Sequence, residues 1–196
     1  MKRFFKLLGI IILLLVIIIL VAGFFISPKF HFEKSIVINA PKEEVWKNIS
    51  TFSNFEKWDP WSIQDPKIQK SISGTDGTPG ATYSWIGNDD VGTGSQTFIE
   101  IAPFDHINID LEFKEPFEKK AAVKYILLPD GNKTKITWSF DTEFSYPWNA
   151  VSSLFMNLDK RMDKDFSTGL ANLKKLCESN VTYITYNCKE SVKTLH

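Results

Sequence analysis

The feature that most constrains this chain is an apolar run near its start. The twenty residues from Leu7 to Ile26 contain no charged or strongly polar side chain. As a helix, a run of this length spans about 30 Å, the thickness of the hydrocarbon core of a bilayer. Lys2, Arg3 and Lys6 precede the run, and the next basic residue is Lys29. This asymmetry predicts a single-pass anchor with a cytoplasmic N-terminus and an extracytoplasmic domain.

A cleaved secretory signal peptide is the alternative. The apolar region of a signal peptide is usually about 7–15 residues long and ends at small residues. Val21-Ala22-Gly23 fits such a cleavage site, but the run continues through Phe24 and Phe25 and is long for a signal. We therefore favour a retained anchor, and we divide the chain into a transmembrane anchor at 1–28, a globular domain at 29–178 and a C-terminal tail at 179–196.

The composition of the remaining chain excludes one class of partner. All 23 acidic residues but only 20 of the 23 basic ones follow the apolar run, which leaves a charge of about −3 there. Such a charge provides no basic surface for a nucleic acid, so we expect no nucleic-acid partner. Six Trp and sixteen Phe make the chain rich in aromatic rings, most of which need burial.

The order of predicted elements indicates an α+β fold. A strand over 30–39 is followed by a helix that opens at Ala40-Pro41 and by a second short helix, which Ser53 can cap. Short turns such as Pro129-Asp130-Gly131-Asn132 imply that the later strands are antiparallel neighbours. These later strands are predicted at 67–73, 81–86, 94–102, 106–114, 119–128 and 133–144.

Alternation along these strands predicts one apolar and one solvated face of the sheet. In the strand at 106–114, for example, Ile107 and Ile109 alternate with Asn108 and Asp110. Apolar residues recur at helical spacing between Ser153 and Cys177, which predicts a long helix that covers the apolar face. Gly169 interrupts this helix, and its missing side chain leaves either space beneath the helix or close packing against a strand.

The opening of the domain carries a family resemblance. Residues 35–61, SIVINAPKEEVWKNISTFSNFEKWDPW, together with the order of elements, resemble the SRPBCC superfamily, also called START or Bet v 1-like, and its polyketide cyclase/dehydrase-like members. The resemblance covers about residues 32–177. It implies a helix-grip fold, in which a curved antiparallel sheet of about seven strands wraps around a long C-terminal helix. It also implies a deep cavity between sheet and helix that holds hydrophobic molecules.

Inward-facing aromatic and apolar residues are the candidates for lining this cavity. Rings that carry an OH or N–H group suit an amphipathic ligand such as a lipid, although the same side chains could instead fill the space. The predicted lining residues are Trp58, Trp61, Tyr83, Trp85, Phe113, Tyr125, Trp138, Phe155 and Met162.

Three functions remain open. The chain contains no nucleophile elbow, metal-ligand spacing or phosphate-binding loop, so we expect no catalytic residue, metal or cofactor. The leading hypothesis is a membrane-anchored binder of a hydrophobic small molecule or lipid, with the bilayer as a partner. The first alternative is an interaction or regulatory module with a filled cavity and a protein partner at the membrane. The second is a cyclase-like enzyme, which needs an inward-facing acid, base or tyrosine.

The C-terminal region leaves two further alternatives. Cys177 and Cys188 could pair in an exported domain, or Cys177 could be a buried thiol with Cys188 free in the tail. The tail itself is polar and contains one β-like run, Val181–Tyr186, which predicts an added strand, a partner-binding segment or disorder.

Overall fold

The computed structural model describes residues 1–115 and 117–193, with side chains up to residue 181. It begins with the helix α1 (Lys2–Phe25), which includes nearly all of the predicted anchor. Among the described residues, α1 alone is long and apolar enough to cross a membrane or to act as a signal sequence. The side chains of α1 are almost all exposed, and its contacts with the rest of the chain are at its C-terminal end.

The remaining elements form one antiparallel sheet and four helices within the described residues. The strand order is β1-β7-β6-β5-β4-β3-β2, and every neighbouring pair is antiparallel. This arrangement confirms the predicted helix-grip fold. The elements are β1 (Lys29–Ile38), α2 (Lys42–Ile49), α3 (Phe52–Phe55), β2 (Gln69–Ser73), β3 (Thr82–Ile86), β4 (Thr93–Ala102), β5 (His106–Glu115), β6 (Lys119–Asp130), β7 (Lys133–Glu143), α4 (Trp148–Phe155) and α5 (Leu158–Lys193).

The start of α3 differs from the prediction in its capping residue. Thr51, rather than Ser53, is the N-cap, and its hydroxyl accepts a hydrogen bond from the Asn54 amide at 3.3 Å. Ser53 lies inside the helix, where its amide and hydroxyl both donate to the Asp76 carboxylate. The carboxylate also accepts from the Phe52 amide at 2.8 Å. Asp76 therefore satisfies two backbone donors that the short helix cannot satisfy itself.

The core lies between the sheet and α5. Phe166, Leu170, Leu173 and Cys177 form the buried stripe of α5, as the helical spacing predicts. The inner face of the sheet, which packs against this stripe, carries the alternating apolar residues of each strand. Its buried members include Tyr83, Trp85, Ile107, Ile109, Leu111, Val123, Tyr125, Leu127, Ile136, Trp138 and Phe140.

The predicted C-terminal helix is wrong at both of its ends. Asn157 has a φ of 47°, a left-handed conformation that interrupts an α-helix, so α4 and α5 are separate helices. Phe155 consequently belongs to α4 and not to the long helix. At the other end, α5 continues through the β-like run Val181–Tyr186 to Lys193. No Gly or Pro follows Gly169 in the sequence to stop it.

The continuation of α5 decides between the alternatives for the two cysteines. Eleven residues along a helix correspond to about 16 Å, whereas disulfide-bonded cysteines have Cα atoms within about 7 Å. A Cys177–Cys188 disulfide is therefore incompatible with α5. Cys177 is a buried free thiol, and burial together with the nearby Glu44 carboxylate raises its pKa to about 12. The side chain of Cys188 lies outside the described residues.

Candidate functional site

The candidate site is the inner face of the sheet, which has two parts. The first part is a cluster of rings that we call the aromatic centre. It consists of Trp58, Trp61, Tyr125, Trp138 and Phe166. The second part, which we call the anchor end, lies where several strands end next to α1. It includes Phe30, Trp85, Phe113 and Met162.

The aromatic centre is filled by its own side chains. The Trp138 and Phe166 rings stack with centroids 4.0 Å apart. Trp58, Trp61 and Tyr125 place their rings within 5.5–6.0 Å of the Trp138 ring. Each such aromatic pair adds about 0.5–1.5 kcal/mol beyond the burial of apolar area. The apolar side chains in this part of the inner face therefore bury one another without a ligand.

Gly169 shows how closely α5 approaches the aromatic centre. A Cβ atom at this position would lie 2.8 Å from Cζ3 of Trp138 and 3.3 Å from Cδ of Pro60. Both distances are shorter than ordinary van der Waals contacts. Of the two alternatives for this glycine, the structure shows close packing against a strand and not space beneath the helix.

The strand register explains why the second part of the inner face lies beside α1. Lys29 at the start of β1 pairs with Glu143 at the end of β7, and Phe113 near the end of β5 pairs with Lys119 at the start of β6. The four strands therefore begin or end at the same edge of the sheet. β1 starts only a few residues after α1 ends. The anchor end is therefore the part of the domain nearest to the apolar helix.

The inner face is less completely covered at the anchor end. Phe30, Phe113 and Met162 pack against the core but are only half-buried. The Trp85 and Phe113 rings lie 6.1 Å apart, and the Phe30 and Phe140 rings 6.3 Å apart. The result is an apolar surface with partial access from outside, lined by rings.

Two buried indole groups on the inner face lack a hydrogen-bond partner within the described part of the chain. These are Nε1 of Trp85, at the anchor end, and Nε1 of Trp138, in the aromatic centre. A buried N–H donor without an acceptor costs about 1–3 kcal/mol, so most such groups in folded proteins have one. Trp58 is satisfied, because its Nε1 donates to the Asn48 carbonyl at 2.9 Å.

A buried ion pair lies beside these rings. Lys70, on the inner face of β2 opposite Trp85, places Nζ 2.9 Å from Oδ2 of Asp59. Asp59 is almost completely buried, and it also accepts hydrogen bonds from the Trp61 amide and the Ser62 hydroxyl. The carboxylate is thus compensated by several donors, which a buried charge requires.

The same environment keeps two tyrosines neutral. Burial raises the pKa of Tyr83 and Tyr125 well above the ordinary value for a phenol, and the negative charge of Asp59 raises both further. Both hydroxyls are protonated at neutral pH, as in any tyrosine, and they stay protonated at a higher pH than an exposed phenol does. The inner face can offer them as neutral hydrogen-bond donors, together with the indole N–H groups.

The Asp59–Lys70 pair was missed by the sequence analysis, which placed polar strand residues such as Asp110 on the solvated face of the sheet and gave Asp59 no role. A signal was available for Lys70. Ile68, Lys70 and Ile72 alternate along the predicted strand at 67–73, so one inward face contains all three. Nothing in the local sequence of Asp59 indicates its burial, because that depends on the distant β2.

The predicted lining residues lie in four different places. Trp58, Trp61, Tyr125 and Trp138 meet in the aromatic centre, whereas Trp85, Phe113 and Met162 lie at the anchor end. Tyr83 lies between Phe55 and Trp85, with ring distances of 5.8 and 6.2 Å. Phe155 does not lie on the inner face, because it belongs to α4, where it is 61% exposed. A ligand-binding role for these residues stays a prediction.

In the part of the chain that the structure describes, two surface cavities have linings that include none of the predicted residues. A shallow cavity of about 710 Å³ on the outer face of the sheet is lined by residues that include Asp110, Glu112 and Asp141. A second, of about 240 Å³, borders the anchor end at Phe30 and lies between the end of α1, the start of β1, α4 and the start of α5. In residues 1–115 and 117–181, no three His, Cys, Asp or Glu side chains are grouped so that they could hold a metal ion.

The sheet order, the long C-terminal helix and the apolar inner face define a protein of the helix-grip class. The chain belongs to the family described as polyketide cyclase / dehydrase and lipid transport, which matches residues 29–178. No curated protein matches the sequence.

Solved structures show the same fold at low sequence identity. A protein from Nitrosospira multiformis is 22% identical with a TM-score of 0.54, over 74% of this chain and 94% of that one. Ara h 8.0201 is 16% identical with a TM-score of 0.53, over 79% and 99% of the two chains. DynU16, a protein in the dynemicin biosynthetic locus, is 15% identical with a TM-score of 0.54, and the match covers 76% of this chain but 48% of that one. At these identities, the likeness establishes the fold alone.

Proposed function

We propose that this chain is a membrane-anchored protein that binds a hydrophobic small molecule or lipid without covalent chemistry. The binding surface is the anchor end of the inner face. One observation carries the proposal: this surface is apolar, only partly covered, and contains the buried indole N–H of Trp85 without a described acceptor. An amphipathic ligand would cover the rings and provide an acceptor for that N–H. The family description, which includes lipid transport, supports the same assignment.

Retention of the anchor is supported by the contacts between α1 and the region around α4. Nδ2 of Asn149 donates to the carbonyls of Gly23 and Ile26, each at 2.8 Å, and the Tyr146 hydroxyl donates to the Leu20 carbonyl at 3.2 Å. Asn149 is 4% exposed, so its hydrogen bonds are not readily replaced by water. Cleavage at Val21-Ala22-Gly23 would remove the acceptors at Leu20 and Gly23. These contacts favour a retained helix over a cleaved signal.

The position of the binding surface fits this anchoring. The anchor end lies beside the last turn of α1, so a hydrophobic ligand would travel only a short distance between the bilayer and the inner face. The basic residues before α1 favour a cytoplasmic N-terminus and an extracytoplasmic domain. The bilayer would then serve as both the anchoring partner and the source of ligand.

Native mass spectrometry of the full-length protein tests the proposal. The protein is extracted in mild detergent, exposed to a total membrane-lipid extract and stripped of detergent in the gas phase. We expect a discrete added mass. The Trp85→Phe variant, which keeps a ring but loses the N–H, should bind roughly fivefold more weakly, the equivalent of one hydrogen bond. Trp46→Phe, at the opposite end of the sheet, should bind like the wild type.

A bare protein mass under all conditions would contradict ligand binding and support the first alternative, an interaction or regulatory module with a filled interior. The aromatic centre favours that alternative, because its rings already occupy the middle of the inner face. A protein partner recovered by crosslinking in intact membranes, with no ligand bound, would support it directly.

A cyclase-like enzyme has one observation in its favour. Asp59, Lys70 and the neutral Tyr83 and Tyr125 hydroxyls lie near the inner face, where acid–base chemistry would need them. Turnover of a linear polyketide thioester by the full-length protein, lost in Tyr125→Phe and retained in Trp46→Phe, would favour the enzyme. Unchanged substrate would leave binding as the function.

A further inference from the structure

The helix α4 has an unusual distribution of side chains. Its buried side consists of the small or polar residues Asn149, Ala150 and Ser152. Large apolar side chains point outward on the helix and its flanks, and Trp148, for example, is 63% exposed. A helix on a water-facing surface has the opposite arrangement, and a contiguous exposed apolar patch marks an interaction surface. We call this patch the outward face of α4; it consists of Tyr146, Trp148, Leu154, Phe155 and Met156.

The outward face is continuous with the surface of α1. The Tyr146 ring lies 5.0 Å from the Phe24 ring, and Phe24 and Phe25 are themselves highly exposed. A Cβ atom on Gly23 would lie 2.9 Å from the Tyr146 ring, so this glycine permits the close approach of the two segments. Together with the Asn149 hydrogen bonds, these contacts hold α4 against the last turn of α1.

We propose that α4 lies in the interfacial layer of the bilayer, with its outward face in contact with lipid. The inference rests on the proposed anchoring of the chain through α1. If α1 crosses the membrane, its last turn is at the membrane surface, and α4 is fixed to that turn. Trp and Tyr favour this layer, because their rings are apolar and their N–H and OH groups are polar.

The bilayer fits the outward face better than a second protein does. The patch continues without a break into α1, whose exposed side chains need lipid for the same reason. Short apolar helices of this kind sink about 5–10 Å into the boundary between headgroups and acyl chains. The domain would then have two attachments to the membrane, and its orientation would be restricted.

An interfacial position of α4 would also orient the proposed binding surface relative to the bilayer. α4 leads directly into α5, and Met162 of the anchor end lies in the first turns of α5. Contact between α4 and lipid would therefore hold the anchor end of the inner face toward the bilayer. A ligand could move between lipid and protein with little exposure to water.

Quenching of tryptophan fluorescence by brominated lipid tests this inference. The full-length protein is reconstituted into phosphatidylcholine vesicles with and without bromine on the acyl chains. We expect bromine to quench the wild type and Trp148→Phe to lose most of the lipid-dependent quenching. Trp46→Phe, which removes an indole near Phe104 at the opposite end of the sheet, should be quenched like the wild type.

The outcomes separate this inference from the proposed function. Equal quenching of the wild type and Trp148→Phe, in protein that stays with the vesicles after an alkaline wash, would overturn the interfacial position of α4 while leaving anchoring intact. Release of the wild type by the wash would overturn both. Ligand binding is measured separately by native mass spectrometry, and quenching that Trp148→Phe retains but Trp85→Phe loses is assigned to lipid bound at the anchor end.

Discussion

The aromatic centre and the anchor end differ in how completely their apolar side chains are buried. In the centre, apolar rings face each other from α5, the sheet and the 58–61 turn, and Trp138 stacks directly on Phe166. At the anchor end, Phe113 is half-buried and the neighbouring α4 directs Trp148 away from the protein. Hydrophobic burial is complete in the first region. In the second, apolar surface stays accessible, and both proposals above rest on that accessibility.

The largest expected difference between the two regions is in stability. Trp58→Ala removes a ring that is 1% exposed and a hydrogen bond to Asn48, so the free energy of unfolding should fall by about 3–5 kcal/mol. Trp148→Ala removes an exposed ring and should change it by less than about 0.5 kcal/mol in detergent. Urea denaturation followed by circular dichroism measures both. Equal losses would contradict the contrast between a closed and an open region.

The hydrogen bonds between α1 and α4 should have the next largest effect. Asn149→Ala removes two donors to the Gly23 and Ile26 carbonyls and should lower the free energy of unfolding in detergent by roughly 2 kcal/mol. Faster proteolysis between α1 and β1 should accompany this loss. Ser153→Ala, an exposed change on the same helix, is the control. If both variants resist protease like the wild type, α4 does not hold α1.

Gly169 tests how tightly the aromatic centre is packed. Gly169→Ala gains about 1 kcal/mol of helix propensity but brings a methyl group against Trp138, so we expect a net loss of about 1–2 kcal/mol. The double variant with Trp138→Leu should lose less than the sum of the two single variants, since the smaller side chain relieves the clash. Stabilisation by Gly169→Ala alone would show that space exists beneath α5.

The smallest expected effect is a pH dependence at the Asp76 cap. Burial acts to raise the pKa of this carboxyl, but hydrogen bonds from Ser53 and Phe52 outweigh it and hold the pKa below the ordinary value of an aspartate. A carboxyl with a lower pKa in the folded state stabilises the protein at neutral pH, and this stabilisation is lost as the pH falls through that pKa.

The Asp76→Asn variant tests whether the charged carboxylate stabilises the protein at neutral pH and loses this effect at low pH. The variant should be less stable than the wild type by about 0.5–1 kcal/mol at pH 7, because it cannot carry the charge that strengthens the cap. The difference should shrink as the pH falls from about 4, the ordinary pKa of an aspartate, through the lowered pKa of Asp76 in the folded protein. Thermal unfolding at several pH values measures the difference. A difference that does not depend on pH would indicate a purely steric role for Asp76.

Most of the fold was predictable from local patterns. Alternation in the strands identified the inner face correctly, as the burial of Ile107, Tyr125 and Trp138 shows. The opening segment at 35–61 indicated the superfamily, and the apolar run indicated α1. These features are local or periodic, so each can be interpreted within a short window of the chain.

The candidate site was predictable only in part. The aromatic and apolar residues of the inner face could be named, but not which rings would fill the interior and which would stay accessible. The Asp59–Lys70 pair joins a turn to an edge strand and depends on their approach in the fold. The break at Asn157 and the outward face of α4 were also missed. A stretch of small, polar and aromatic residues has no periodicity that marks a separate helix.

The sequence by itself determined the type of each main element, the inner and outer faces of the sheet and the presence of an apolar helix long enough to cross a membrane. These depend on the periodicity and length of side-chain patterns along the chain. Only the tertiary structure decided that α5 presses Gly169 against Trp138, that Asn149 holds the end of α1, and that the apolar side chains of α4 point outward. Each of these depends on distances between segments remote in sequence, which the packing of the whole domain determines.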